Sequence, residues 1–255
     1  MLTTTPKKLV NLHPVIQSIA FGFYTISSFV CALFISWVLM ASVDFAYPML
    51  HDSMNITQHV EKYGPQNHYR NNFENTDRIE RIRLFTAIND SIHSQGHGLD
   101  KIEYYDKTTL KRIDTLLHRS EIIHLKDVAA LIDAFRFTAL AGLIIWVGLI
   151  LLLYKKNIPP PNLKQQTLST LAIVIFSALL ILVIGPVTVF YAFHEWLFPA
   201  NHKWFFYYQE SLMTILMKAP FLFGYIAILI TLLTIPVFIV MNMLAVKLLD
   251  NSNKI

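Results

Sequence analysis

The chain has 255 residues, of which 54% are hydrophobic and only 15% are charged, and it carries a formal net charge of +4. Soluble domains carry about 25% charged residues, so this composition argues against a soluble globular protein. The basic isoelectric point, near 9.0, arises from lysine-rich flanks between apolar stretches. It does not indicate a nucleic-acid partner.

Four long stretches of the sequence contain no charged residue. Each holds about 18 apolar residues or more, the length that a helix needs to cross a hydrocarbon core of about 30 Å. The sequence therefore predicts an all-α membrane protein with four transmembrane helices. We assign a tail and the first helix to residues 1–46, the second helix to 129–154, the third to 168–193, and the fourth with a C-terminal tail to 219–255. The first stretch is far longer than a signal-peptide core, so we expect it to be retained.

The orientation of these helices follows from the charges beside them. The N-terminal tail, the turn at residues 155–167 and the C-terminal tail contain seven lysines and one acid: Lys7, Lys8, Lys155, Lys156, Lys164, Lys247, Lys254 and Asp250. Cytoplasmic flanks are enriched in lysine and arginine. Both termini are therefore predicted to lie in the cytoplasm.

Two segments are then predicted to lie outside. The first, residues 47–128, is expected to be mostly helical, because apolar residues recur at helical spacing over 77–89 and over 108–128. The second, residues 194–218, contains seven aromatic residues and a short predicted helix at 212–217. Such a segment is typical of a belt that anchors the protein at the lipid headgroups, and a lipid-binding surface is the alternative.

Two histidines occur where predicted helices meet the outer lipid boundary. His124 precedes the second span by about one helical turn, and His194 follows the third span directly. The two helices share a short connection, so both imidazoles are expected at the same depth, where they are suited to proton transfer. Glu121 and Asp127 lie three residues on either side of His124, on its helical face. Either carboxylate is a candidate to orient that ring; the alternative is an exposed helical turn with ordinary charges.

Other kinds of site find less support. Glu121-x-x-His124 has no second copy, as a di-iron site would require, and glycines surround His97. We expect no metal and no cofactor. Asp133 and Arg136, at the start of the second span, are predicted either to pair with each other or to leave Arg136 for a lipid phosphate. The sequence contains no nucleophile elbow and no nucleotide-binding motif.

Around the two histidines the sequence resembles the Lit family of bacterial lipoprotein intramolecular transacylases. The first matching segment is Glu121-x-x-His124-Leu125-x-Asp127-Val128, before a span. The second is Phe193-His194-x-x-x-Phe198, after a span, followed by Asn201-x-x-Trp204. The family more often has methionine where Leu125 stands. The four-span plan with a larger first outer segment also agrees.

The resemblance implies an acyl shift within a lipoprotein, from the sn-2 oxygen of its diacylglyceryl-cysteine to that cysteine's α-amino group. It implies catalytic roles for His124 and His194, one as base and the other as oxyanion or leaving-group donor, in an order left open. Glu121 and Asp127 are the expected orienting residues. Substrate-binding candidates are Phe198, Asn201, Trp204, Met213 and Arg136.

The implied partners are diacylglyceryl-modified lipoproteins and membrane lipid, and the implied location is the bacterial cytoplasmic (inner) membrane, with the site on its outer face. An ester becomes an amide in this reaction, so no activated donor is required. The main alternative is a non-enzymatic assembly or sensor protein with an outer domain. A small transporter that uses Asp133 and Arg136 is a weaker alternative.

Overall fold

The computed structural model describes residues 14–156 and 158–252, the side chains of 250–252 excepted; Lys7, Lys8 and Lys254, used above to infer orientation, lie outside this part. The described residues fall into two compact units. The first unit comprises those within 1–37, 135–180 and 230–255, and the second comprises 38–134 and 181–229. The elements in chain order are α1 (Pro14–Ala41), α2 (Tyr47–Ser53), α3 (Ile56–Tyr63), α4 (Arg78–His93), β1 (Glu103–Tyr105), β2 (Arg112–Thr115), α5 (Arg119–Lys156), α6 (Leu163–Ile184), α7 (Pro186–Leu197), α8 (Leu212–Met217) and α9 (Phe221–Ser252).

Within residues 14–156 and 158–252, four helices are long and apolar enough to cross a membrane: α1, α5, α6 and the Phe221–Leu249 part of α9. The predicted four-helix membrane class is confirmed. Large apolar side chains on these helices are exposed, Val183 by 84% of its surface. Such surface is unfavourable in water and ordinary in lipid, where a helix satisfies its own backbone hydrogen bonds.

In the first unit, the apolar helices pack through aromatic and small residues. Tyr24 and Trp146 meet edge to face with ring centroids 6.1 Å apart, within a buried cluster that includes Leu153 and Leu249. Gly142 lies where α5 passes α1, since a Cβ there would sit 3.5 Å from the backbone oxygen of Ser27. Small residues allow this close approach of helices in membranes.

In the second unit, buried polar side chains find hydrogen-bond partners both nearby and far along the chain. Tyr47 stacks on Phe85 with centroids 4.0 Å apart, and its hydroxyl donates to the Leu216 carbonyl at 2.7 Å. The buried guanidinium of Arg81 donates to both oxygens of Thr76. Buried polar groups need such partners. The contacts of Tyr47 join α2 to α4 and α8, and those of Arg81 hold the start of α4.

The helix predicted over 77–89 is confirmed as α4, and Asp77 caps it by accepting from the Glu80 backbone N–H at 2.7 Å. The first span is shorter than predicted. Helix α1 ends at Ala41, and Asp44, Phe45 and Ala46 all have positive φ, a conformation that cannot continue a right-handed helix.

The helix predicted over 108–128 is wrong in its first half. Strands β1 and β2 form an antiparallel hairpin there, and the helix begins only at Arg119. The carboxylate of Asp106 accepts from the backbone N–H groups of Thr108 and Thr109, at 2.9 and 2.8 Å. Such side-chain turns compete with helix formation. The apolar spacing suited a helix, but the local turn chemistry prevails.

The third span, predicted as one helix over 168–193, is broken. Helix α6 ends at Ile184 and α7 begins at Pro186, with Gly185 between them at φ +99°. Proline cannot donate a backbone hydrogen bond and clashes with the preceding helical turn. Only glycine adopts this φ without strain, so the Gly-Pro pair ends one helix and starts the next.

We expect Gly185→Ala to destabilise the protein by about 1–3 kcal/mol, because alanine is strained at this φ. Its Cβ would also lie 3.3 Å from the Thr188 hydroxyl oxygen. Thermal unfolding of the detergent-purified protein measures the change. Gly148→Ala is the matched control, since a Cβ at that helical position meets nothing within 4 Å and should be neutral or mildly stabilising. An unchanged melting temperature for Gly185→Ala would contradict this account.

Candidate active site

The structure brings His124 and His194 together within the second unit. His124 lies in the second turn of α5 and His194 in the last turn of α7, and their ring centroids are 6.2 Å apart. His124 is buried, with 8% of its surface exposed, and His194 is half-buried. At this separation one bound molecule can contact both rings.

The tautomer of His194 follows from its hydrogen bond. Its Nδ1 lies 2.7 Å from the carbonyl oxygen of Phe190, which can only accept, so Nδ1 carries a hydrogen. In the neutral ring, Nε2 then holds a lone pair. Burial lowers the pKa of His194 below its ordinary value, and the neutral form is therefore favoured near pH 7. Nε2 of His194 can act as a proton acceptor.

His124 presents an unsatisfied polar atom. Its Nδ1 is buried and has no hydrogen-bond partner among the described residues. Buried polar atoms in folded proteins are nearly always paired. A polar atom of a substrate that entered beside His194 would supply the missing partner.

Glu121 makes other contacts in place of the predicted one with His124. Its fully buried carboxyl group accepts hydrogen bonds from the Ser211 hydroxyl, from the His118 backbone N–H at 2.7 Å and from the Met213 backbone N–H at 3.4 Å. Ser211 also caps α8 by accepting from the Thr214 backbone N–H. Glu121 thus joins the first turn of α5 to the start of α8.

Asp127 also bonds elsewhere. Its Oδ2 lies 2.7 Å from Nδ1 of His202, in the segment that follows α7. The side chains of Asp127 and His202 are 22% and 32% exposed. The pair therefore lies nearer to solvent than His124 and connects α5 to this segment.

Aromatic rings enclose the two histidines. The Phe198 ring lies 4.8 Å from His124 and 5.2 Å from His194, and the Trp204 ring lies 5.1 Å from His194. Phe206 approaches His124 at 6.2 Å. Part of the aromatic segment predicted as a membrane belt therefore forms the walls of this site.

Two cavities lie along one stripe of α5, against the segment that follows α7. The basic cavity, about 220 Å³, is lined by Arg119, Ser120, Ile123, Asn201, His202 and Lys203. The apolar cavity, about 260 Å³, is lined by Asp127, Ala130, Leu131, Leu197, Phe198 and Pro199. Asp127 and His202 line different cavities, so their hydrogen bond marks the boundary between the two. Phe198 lines the apolar cavity and also contacts the rings of His124 and His194, whereas neither of those two histidines lines either cavity.

The remaining predicted site residues lie in different surroundings. Asn201 lines the basic cavity, whereas the buried side chain of Met213 belongs to α8 and its backbone bonds Glu121. Arg136 belongs to the first unit, where its side chain is exposed. The residues described here contain no cluster of three or more side chains suited to hold a metal ion.

Sequence reasoning missed three polar residues of the site. His202 pairs with Asp127, Ser211 donates to Glu121, and the Nε2 of His118 donates to the Glu210 carbonyl at 3.0 Å. Ser211 stands directly before a predicted helix, and serine at this position is a common helix N-cap. This was the one local sequence signal that could have indicated any of the three. For His118 and His202, nothing in the nearby sequence indicates the partner.

A protein-family model and solved structures that match this chain carry the same family name. The family model described as lipoprotein intramolecular transacylase Lit matches residues 15–222. The chain resembles the in meso structure of the membrane integral lipoprotein intramolecular transacylase Lit from Bacillus cereus, with 18% identity, a TM-score of 0.66, and coverage of 95% of this chain and 99% of that one.

Two variants of the Bacillus cereus protein also match. In one a histidine is replaced by arginine (17% identity, TM-score 0.59, covering 94% of this chain and 96% of that one). In the other a histidine is replaced by alanine (18% identity, TM-score 0.58, covering 93% and 97%). At these identities the structures support the fold alone. No curated protein matches the chain.

Proposed function

We propose that His124 and His194 together catalyse the acyl shift of the family to which this chain belongs, the Lit lipoprotein intramolecular transacylases. In this reaction the acyl chain on the sn-2 oxygen of a diacylglyceryl-cysteine moves to the α-amino group of the same cysteine. The observation that carries the proposal is the 6.2 Å separation of the two rings.

His194 acts as the base. Its Nδ1–H is held by the Phe190 carbonyl, which leaves the Nε2 lone pair for the attacking amine. Nε2 removes a proton from nitrogen as the amine adds to the ester carbonyl, and it returns that proton to the departing glyceryl oxygen. The sequence left the two histidine roles interchangeable, and this hydrogen bond favours the assignment.

His124 supplies the hydrogen-bond donor for the oxyanion of the tetrahedral intermediate. Its unpartnered, buried Nδ1 is suited to this role, because a donor aimed at developing charge in a water-poor site contributes strongly to rate. Donor ester and acceptor amine belong to one molecule. A site that holds them in contact therefore gains rate from proximity alone.

The surroundings suit a lipopeptide. The apolar cavity beside Phe198 is suited to hydrocarbon, and Trp204 against His194 limits how the ester can sit. The lysines at the end of α5, Lys155 and Lys156, support a cytoplasmic location for that end by the positive-inside rule. We therefore place the site at the outer face of the bacterial cytoplasmic membrane.

Mass spectrometry of a lipoprotein N-terminus tests the function. A bacterial strain without a transacylase is compared with the same strain expressing this chain. We expect expression to convert a diacylglyceryl-cysteine with a free amine into an N-acylated cysteine that carries a monoacylglyceryl group. The two forms have equal mass, so fragmentation distinguishes them.

A free α-amine in both strains would remove the proposed activity and favour the non-enzymatic membrane protein. If conversion persists when His124 and His194 are both replaced by alanine, the protein has the proposed activity but the two histidines do not catalyse it. Protein levels in the membrane, measured for every variant, separate loss of catalysis from loss of protein.

A further inference from the structure

The proposed reaction, on which this inference rests, releases one proton whenever the substrate binds as the ammonium. A free α-amine has an ordinary pKa of about 8 and is mostly protonated at pH 7. The ammonium loses two protons as it becomes an amide, and the glyceryl oxygen regains one. His194 can carry the proton that is returned. A substrate that binds in its ammonium form has one further proton to lose, which a second group beside the site can take and release to water.

The Asp127–His202 pair has the geometry for that task. Because the Asp127 carboxylate accepts, Nδ1 of His202 carries the hydrogen of their 2.7 Å bond. Nε2 of the neutral ring is then an acceptor. His202 lines the basic cavity, and its side chain is 32% exposed, so a proton taken there has a route to solvent. The carboxylate stabilises the imidazolium that forms, as in other aspartate–histidine pairs.

The pair is joined to the catalytic histidines by short connections. Asp127 lies one helical turn after His124 on the same face of α5. His202 lies between Phe198 and Trp204, whose rings contact His194. Asp127 and His202 are therefore both within a few residues, along the chain, of side chains that form the histidine site.

The charges around His202 favour loss of a proton from a bound ammonium. Arg119 on α5 and Lys203 beside His202 both line the same cavity. Lys203 is partly neutralised, since its Nζ lies 2.7 Å from Glu210. Two cations near an ammonium raise the free energy of its charged form.

We propose that His202, held by Asp127, accepts the first proton of the substrate's α-ammonium and passes it to water, which delivers a neutral amine to His194. In this step an N–H bond of the ammonium breaks and an N–H bond forms at Nε2 of His202. The imidazolium then loses that proton to solvent. His202 thereby determines which protonation state of the lipopeptide can react.

The test is the pH dependence of acyl transfer on a synthetic diacylglyceryl-cysteine peptide in detergent. His202→Asn retains an amide that can donate to Asp127, but it lacks the titratable Nε2. With an amine pKa of about 8, only about one substrate in 30 is neutral at about pH 6.5. We expect kcat/KM of this variant to be about 30-fold below wild type there, and nearly equal at about pH 9.5. Asp127→Asn should show the same pattern.

Trp204→Phe is the matched control, because it alters a wall of the site without changing a titratable group. Any loss of kcat/KM in Trp204→Phe should be the same fraction of the wild-type value at every pH. A pH-independent loss in His202→Asn would overturn the inference and leave the pair as a structural connection. Full activity of that variant at about pH 6.5 would also overturn it. Absence of product with wild-type protein at every pH would instead refute the proposed function.

Discussion

Replacing His194 with asparagine should lower kcat/KM for acyl transfer by about 10²–10⁴-fold, the usual contribution of a positioned base, and leave the fold intact. The asparagine amide can still donate to the Phe190 carbonyl, as Nδ1 does now at 2.7 Å. It has no group in place of Nε2. The variant therefore removes the proposed base and preserves the hydrogen bond that positions it.

The loss of kcat/KM in His194→Asn should persist at every pH, whereas the loss in His202→Asn should disappear at high pH. Because burial lowers the pKa of His194, the neutral base remains available somewhat below the ordinary histidine value of about 6.5. In the pH profile of wild-type kcat/KM, the acidic limb that reports protonation of His194 should accordingly lie at lower pH than it would for a free imidazole.

The measurement is the initial rate of N-acylated product from the synthetic diacylglyceryl-cysteine peptide, at matched protein concentration. Glu195→Gln is the control, since the exposed side chain of Glu195 lines neither of the two cavities and the variant should retain wild-type activity. If His194→Asn retained activity within about threefold, proton abstraction by His194 would be excluded.

Glu121→Ala should give the largest loss of stability, about 2–5 kcal/mol in the free energy of unfolding. Three hydrogen-bond donors converge on this buried carboxyl group: the Ser211 hydroxyl and the backbone N–H groups of His118 and Met213. Each donor left unpaired in the interior costs about 1–3 kcal/mol, and water that enters the vacated space recovers part of this. The junction between α5 and α8 would loosen.

Two further variants calibrate this result. Glu121→Gln retains one acceptor oxygen and the side-chain shape, so it should destabilise by less than alanine. Ser211→Ala removes one donor together with the cap of α8 and should cost about 1–2 kcal/mol. Thermal unfolding in detergent, followed by circular dichroism, ranks the three. A melting temperature for Glu121→Ala at or above that of Ser211→Ala would contradict the proposed role of the carboxyl group.

Sequence patterns alone predict the membrane class of this protein, which is confirmed, and the approximate position of its candidate site. Length and local composition decide whether a helix can cross lipid, so the four spans were visible without any tertiary contact. His124 and His194 lay at the ends of predicted spans joined by a short connection, and this constraint implied their proximity. The hairpin and the break at Gly185 arise from local signals: the turn made by Asp106 and the Gly-Pro pair. The apolar periodicity alone predicts continuous helices at both places.

The hydrogen-bond partners of Glu121 and Asp127 are set by long-range packing. Glu121 bonds Ser211, 90 residues away, and Asp127 bonds His202, 75 residues away. Spacing along α5 placed both acids on the face of His124, where each was a plausible partner. A buried carboxylate accepts from whichever donors the folded chain brings nearest, and long-range packing places those donors. The partners of Glu121 and Asp127, and with the latter the proposed role of His202, follow from the folded chain.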